Sequence, residues 1–185
     1  LQTGNGDAPR SFIERLGLAL LGEPGTRAQL VEVLRDAQSR DLLDRDALDM
    51  IEGVLQVSEM QVRDIMVPRA QMDVVDFSRA PDEFLPVIIE SGHSRFPVLG
   101  QDRDEVVGIL LAKDLLKCYA GGTPPCDVSQ LVRPVALIPE SKRLNVLLRE
   151  FRASRNHMAI VVDEYGGVCG LVTIEDVLEE IVGDI

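Results

Sequence analysis

Gly170-Leu171-Val172-Thr173-Ile174-Glu175-Asp176 is the stretch whose reading decides the fold. A short apolar strand ends at Thr173, and a helix striped by Ile174, Val177, Leu178 and Ile181 starts right after it. The same figure stands 62 residues earlier as Gly108-Ile109-Leu110-Leu111-Ala112-Lys113-Asp114. The offset of 62 also lays Arg95-Phe96-Pro97-Val98 over His157-Met158-Ala159-Ile160. A fixed offset held in two segments marks an internal duplication.

Outward from these motifs, each copy reads helix–strand–helix–strand–strand–helix. In the first copy, Val62–Met66 is a short helix or turn stopped by Pro68, and Met72–Val75 is a strand. Asp82–Glu90 is a helix that tolerates Pro86 only in its first turn. Phe96–Leu99 and Val106–Leu110 are strands joined by a charged hairpin, and Lys113–Tyr119 is the closing helix. A Gly/Pro linker follows. In the second copy, strand Val135–Ile138 leads to a helix capped by Ser141 and carrying Leu144, Leu147, Leu148 and Phe151. Strands Met158–Val162 and Val168–Val172 flank the turn Asp163–Gly167. A unit of about 55 residues buries too little surface alone. Two copies therefore pack sheet to sheet about a pseudo-two-fold axis, with clefts at the seam.

The expected fold is α/β (α+β), two β-α-β-β-α repeats preceded by short helices. Residues 1–25 read as a flexible N-terminus with a short amphipathic helix at Ser11–Leu21, and 26–60 as a helical lead-in. There Thr26 and Gln29 form a capping box, and Asp44 opens a second helix. Residues 61–119 form repeat 1, 120–127 the linker and 128–185 repeat 2.

Composition removes several function classes. With no Trp and 4% aromatic residues, the core is aliphatic. A net charge of −12 argues against broad binding to nucleic acid or anionic lipid and leaves room for a small anionic ligand. No apolar run approaches the length of a membrane span. Cys118, Cys126 and Cys169 form no C-x-x-C, which fits a reducing cytosol. Neither His93 nor His157 sits in a metal-ligand pair. The acidic run Asp41, Asp44, Asp46, Asp49 lacks the central Gly of an EF-hand loop and reads as caps and a solvated face. No Ser-His-Asp set, G-x-S-x-G, Walker loop or H-E-x-x-H is present, so no catalytic residue is expected.

Thr173 and Asp176 carry the binding expectation. A carboxylate in the first helical turn accepts both ribose hydroxyls, the threonine hydroxyl meets ribose or phosphate, and the helix N-terminus offers N–H groups to phosphate. The same two residues also make a plain helix cap. Leu111 stands where the second copy has Thr173, so the first copy lacks that hydroxyl. With the offset of 62, His93 and Arg95 overlay Arg155 and His157, giving each copy an imidazole and a guanidinium for phosphate. Solvent exposure or pairing with carboxylates explains those cations equally well.

Two such units, the second matching G-h-h-[T/S]-x-x-D and the first departing from it at Leu111, resemble in this order a tandem cystathionine-β-synthase (CBS) domain pair over residues 62–182. Arg63-Asp64-Ile65-Met66-Val67-Pro68-Arg69, His93-Ser94-Arg95-Phe96-Pro97-Val98 and the run His157–Gly167 are similar, more narrowly, to the CorC family linked to magnesium and cobalt efflux. The resemblance implies a cytoplasmic module, peripheral to the inner membrane, that binds AMP or ATP with or without Mg²⁺ and does no catalysis. It implies homodimers and a membrane cation transporter, or the family's small C-terminal domain, as partner. By the same resemblance, His93, Ser94, Arg95 and Phe96 complete the site of Thr173 and Asp176, and Val67 and Leu171 line the adenine pocket. With Leu111 in the first copy, one competent nucleotide site per chain is expected. The chain stops at Ile185, before such a C-terminal domain, and is expected to be a fragment. Dimerisation is expected through Ile174, Val177, Leu178 and Ile181 with Leu115 and Leu116. The alternative is a ligand-free dimerisation and docking module.

Overall fold

The computed structural model describes residues 24–76, 78–100, 105–115 and 127–183, with backbone alone at 81, 82 and 128. The helix expected at Ser11–Leu21, the hairpin tip 101–104, the closing helix beyond Leu115 and most of the linker lie outside the described residues.

The chain divides into two units, 1–52 and 53–185. In the first, helix α1 (Arg27–Ser39) starts on the expected capping box. Gln29 N donates to Thr26 Oγ1 at 3.3 Å, and Thr26 N donates to Gln29 Oε1 at 3.2 Å. Helix α2 (Arg45–Val57) starts where the Asp44 carboxylate accepts from Ala47 N at 2.7 Å. Arg35 and Glu52 pair at 2.9 Å.

The second unit holds two sheets. β2 (Val75–Asp76), β3 (Arg95–Leu99) and β4 (Val106–Leu111) form one, in that order. The other runs β1 (Val67–Pro68), β7 (Val168–Thr173), β6 (Met158–Val162) and β5 (Ala136–Pro139). The parallel pairs β2/β3 and β5/β6 need a crossover. Helices α3 (Pro81–Ser91) and α4 (Leu144–Ser154) supply it. Helix α5 (Ile174–Val182) closes the second repeat, and 112–115 is the helical start that closes the first.

Strand alternation sorts the core into three layers. On β6, Ala159 and Val161 face Leu144, Leu147 and Phe151 of α4, whereas Met158 and Ile160 face the other sheet. On β4, Leu110 packs with Phe84 and Ile88 of α3, and Ile109 meets Met158, Ile160 and Leu171 between the sheets. β6 is flanked on both edges and covered on both faces, which is why its sequence is apolar without a break.

The repeats interlock. β1 opens repeat 1 yet pairs with β7 of repeat 2, Val67 opposite Leu171. Arg133 precedes β5 of repeat 2 yet bridges Ile109 of repeat 1. Ile109 N donates to Arg133 O and Arg133 N to Ile109 O, both at 2.9 Å. These crossings explain the duplicated glycines. A Cβ on Gly170 would come closer than 3.0 Å to the Val67 carbonyl oxygen, and one on Gly108 equally close to that of Arg133.

The common offset of 62 needs correction. It holds for β4 and β7, whose bounds differ by 62, but α3 and β3 stand 63 residues before α4 and β6. The β3–β4 turn is one residue longer than the β6–β7 turn. The pairing registers agree, with Arg95 opposite Leu111 and Met158 opposite Thr173. Arg95 therefore corresponds to Met158, not to His157. Arg155 corresponds to Gly92, and both are helix C-caps in the left-handed region, at φ 56° and 68°.

Other expectations change in detail. Helix α3 begins at Pro81, so Pro86 lies inside it rather than in its first turn. The strand expected at Met72–Val75 shrinks to Val75–Asp76, because β2 is a sheet edge paired only with β3. Ser141 does not cap α4. Arg143 holds the N-cap position, Leu144 N donates to Met60 O at 3.1 Å, and Arg143 Nη1 donates to Glu59 O. Val177 and Leu115 sit inside the module's own core, at 0% and 2% exposure, and are not available to a second copy. Leu178 and Val182 remain exposed on α5.

Candidate functional site

The interlock leaves a cavity of about 380 Å³ at the seam of the two repeats. One wall carries His93, Ser94 and Arg95, which run from the α3 C-cap into β3. The facing wall carries Val67 of β1 beside Leu171 and Thr173 of β7, with Asp176 of α5. Seven of the eight expected site residues thus meet in one cavity. The eighth, Phe96, is fully buried in the core of repeat 1, and its ring centroid lies 6.1 Å from that of His93. It supports His93 from behind and turns no side chain to the cavity.

Thr173 and Asp176 form a complete capping box. Asp176 N donates to Thr173 Oγ1 at 3.2 Å, and Thr173 N donates to Asp176 Oδ2 at 2.6 Å. Capping and ligand binding are compatible here. The box uses one lone pair of the hydroxyl and one carboxylate oxygen. Among the described residues, Asp176 Oδ1 has no protein partner and remains an acceptor for a pair of hydroxyls. The helix amides are less open than expected, because Ile174 N donates to His157 O at 3.0 Å. With Asp176 N also engaged, the Glu175 N–H is left for an anion.

Sequence reasoning missed Asp73, Glu175 and Met158, which also line the cavity. His93 Nε2 lies 3.2 Å from Asp73 Oδ2, and His157 Nδ1 lies 3.6 Å from Glu175 Oε1. The cavity therefore sets Arg95 and the His93 imidazole among three carboxylates, those of Asp73, Glu175 and Asp176. Asp73 escaped notice because it was placed inside a strand.

The pseudo-symmetric position holds a second cleft of about 210 Å³. Ile109 and Leu111 stand in place of Leu171 and Thr173, and Arg133 stands in place of Val67. Asp114, the counterpart of Asp176, is 4% exposed and does not line this cleft. Its Oδ2 accepts from Arg133 Nη2 at 2.7 Å. The X-Pro pairs Val67-Pro68 and Arg133-Pro134, one near the start of each repeat, were the signal that could have located Arg133 from sequence.

Among the described residues, no group of three or more His, Cys, Asp or Glu is placed to hold a metal ion. No helix among them is long and apolar enough to cross a membrane.

Comparison with known proteins agrees with this architecture. The CBS-domain family model matches residues 62–121 and 127–183, and a model described as the N-terminal region of NMB0537 matches 22–57. The magnesium and cobalt efflux protein CorC of Vibrio cholerae is 52% identical over 184 residues, all of this chain and 63% of that protein. CorC of Escherichia coli is 51% identical over 164 residues, 89% of this chain and 56% of that protein. The chain thus spans less than two thirds of the length of these curated relatives. A solved CBS domain of a bacterial CNNM/CorC family Mg²⁺ transporter, in complex with an inhibitor, superposes with a TM-score of 0.77 at 37% identity, over 86% of this chain and 99% of that one. A complex of such a domain with ATP gives a TM-score of 0.65 at 40% identity, over 74% and 97%. A CBS-domain pair with bound AMP from Klebsiella pneumoniae gives 0.57 at 29% identity, over 68% and 100%. Two sheets, two duplicated glycine motifs and these matches converge: the chain belongs to the CBS-domain family, as a tandem pair of the CorC kind.

Proposed function

We propose that the chain is a regulatory adenine-nucleotide-binding module of a protein acting in magnesium and cobalt efflux. The carrying observation is the convergence of Thr173 and Asp176 from repeat 2 with His93, Ser94 and Arg95 from repeat 1 in one cavity. Asp176 Oδ1 accepts from the ribose hydroxyls, Val67 and Leu171 pack against the adenine, and Arg95 with His93 faces phosphate. The ATP- and AMP-bound neighbours support the ligand class. The module regulates rather than reacts, works on the cytoplasmic side beside a membrane transporter, and pairs with a second copy through exposed apolar positions such as Leu178 and Val182.

A thermal-shift series with AMP, ADP and ATP, each with and without Mg²⁺, tests the reading. A nucleotide at a hundredfold its Kd stabilises the folded state by about 2.7 kcal/mol. A melting temperature that no nucleotide raises would favour the ligand-free docking module instead.

A further inference from the structure

The second cleft has lost what a nucleoside needs and gained what a phosphate chain needs. Leu111 removes the hydroxyl, Arg133 engages the Asp114 carboxylate, and the same Arg133 replaces the apolar floor that Val67 gives the first cleft. In their place, Arg95, Lys113, Arg133, Arg155 and His157 face one small cleft with no Asp or Glu in its lining; Arg133 is bonded to Asp114 and His157 lies 3.6 Å from Glu175, which leaves Arg95, Lys113 and Arg155 as its main cations. Such a gathering on a chain of net charge −12 concentrates positive potential where the rest of the surface repels anions. Arg155 is the C-cap of α4 and lines the cleft. It is held at φ 56° where its counterpart is Gly92, so a conformation that suits glycine is occupied by a guanidinium.

We propose that this cleft is a binding site for a phosphate chain, with no contact to a nucleoside. Arg155 binds phosphate oxygens as a guanidinium fork, Arg133 through the N–H groups that Asp114 leaves open, and Lys113 as a point charge. Two sources share this chemistry. One is a free oligophosphate. The other is the distal phosphates of a nucleotide whose ribose sits on Asp176, since Arg95 and Met158 line both clefts and make them adjacent. The second source rests on the function proposed above; the first does not.

Calorimetry on the whole chain with sodium tripolyphosphate, AMP and ATP tests this, using Arg155→Gly, Lys113→Ala and Asp176→Ala. Arg155→Gly leaves a residue that adopts φ 56° freely, so it separates binding from folding. If the source is free, tripolyphosphate binds the parent chain, at least tenfold more weakly to Arg155→Gly and Lys113→Ala, and unchanged to Asp176→Ala. If the source is a nucleotide, ATP binds more tightly than AMP, and Arg155→Gly and Lys113→Ala erase that margin while AMP affinity stays. The proposal is overturned if both variants leave tripolyphosphate affinity and the ATP-to-AMP ratio unchanged. Tripolyphosphate binding lost in these two variants, with AMP failing to bind the parent chain, would uphold this site and remove the nucleotide reading alone.

Discussion

The first cleft sets Thr173 beside Asp176 with Val67 alongside; the second sets Leu111 beside a carboxylate already bonded to Arg133. Both are built from the same duplicated parts: a glycine crossed by the segment that leads into the other repeat, and a strand running into a helix. The frame is shared, and the few side chains that project into each seam are not. A duplication of this kind preserves what backbone contact requires and frees the rest to diverge.

The largest expected effects test the shared frame. Gly170→Ala and Gly108→Ala each push a Cβ into a backbone carbonyl that cannot rotate away. Each should destabilise the module by about 1–3 kcal/mol or more, and by similar amounts. Denaturant unfolding of both variants reads this, and a cost at one glycine alone would break the symmetry. Next comes the divergent part. Asp176→Ala removes a charge-assisted contact of about 1.5–3 kcal/mol and should weaken AMP binding about ten- to hundredfold. Asp114→Ala should leave AMP affinity within about twofold. Titration calorimetry decides between them, and a greater loss from the Asp114 change would reverse the assignment. Arg95→Ala should weaken ATP by about tenfold and adenosine hardly at all, with the ATP affinity also falling as salt rises. Equal losses for both ligands would show that Arg95 does not meet phosphate. The smallest effect concerns the paired helix caps. Arg155→Gly should raise stability by up to about 1 kcal/mol, and Gly92→Ala should lower it by about 1–2 kcal/mol. Thermal melts of the two would read opposite signs.

Much of this was legible in the chain. The G-h-h-x-x-x-D motifs marked both strand-to-helix junctions, because a strand ending where a helix begins leaves its signature in periodicity and in the capping residues. Thr26, Gln29 and Asp44 were readable for the same reason, since caps are made by neighbours in sequence. What escaped depends on contacts between distant segments. A single extra residue between β3 and β4 shifted the correspondence of α3 and β3 by one, and it turned an apparent match between Arg95 and His157 into one between Arg95 and Met158. The cap of α4 came from Met60, more than 80 residues away, so Ser141 looked suitable and was not used. The stripe on α5 was read correctly as apolar, but Val177 packs inward on α4 and β7 instead of outward on a partner. Periodicity gives a buried face without saying what buries it.

The crossing of β1 onto β7 also bears on how the module is assembled. Val67 must find Leu171 roughly 100 residues away, so closing that loop is slow and comes late. A chain cut between the repeats leaves a half whose leading segment has no strand to join and whose glycine-bearing strand has an open edge. A second copy of the half supplies both. At high concentration during refolding, two intact chains meet the same opportunity and trade these segments, so an exchanged dimer is the misfolded product this topology favours.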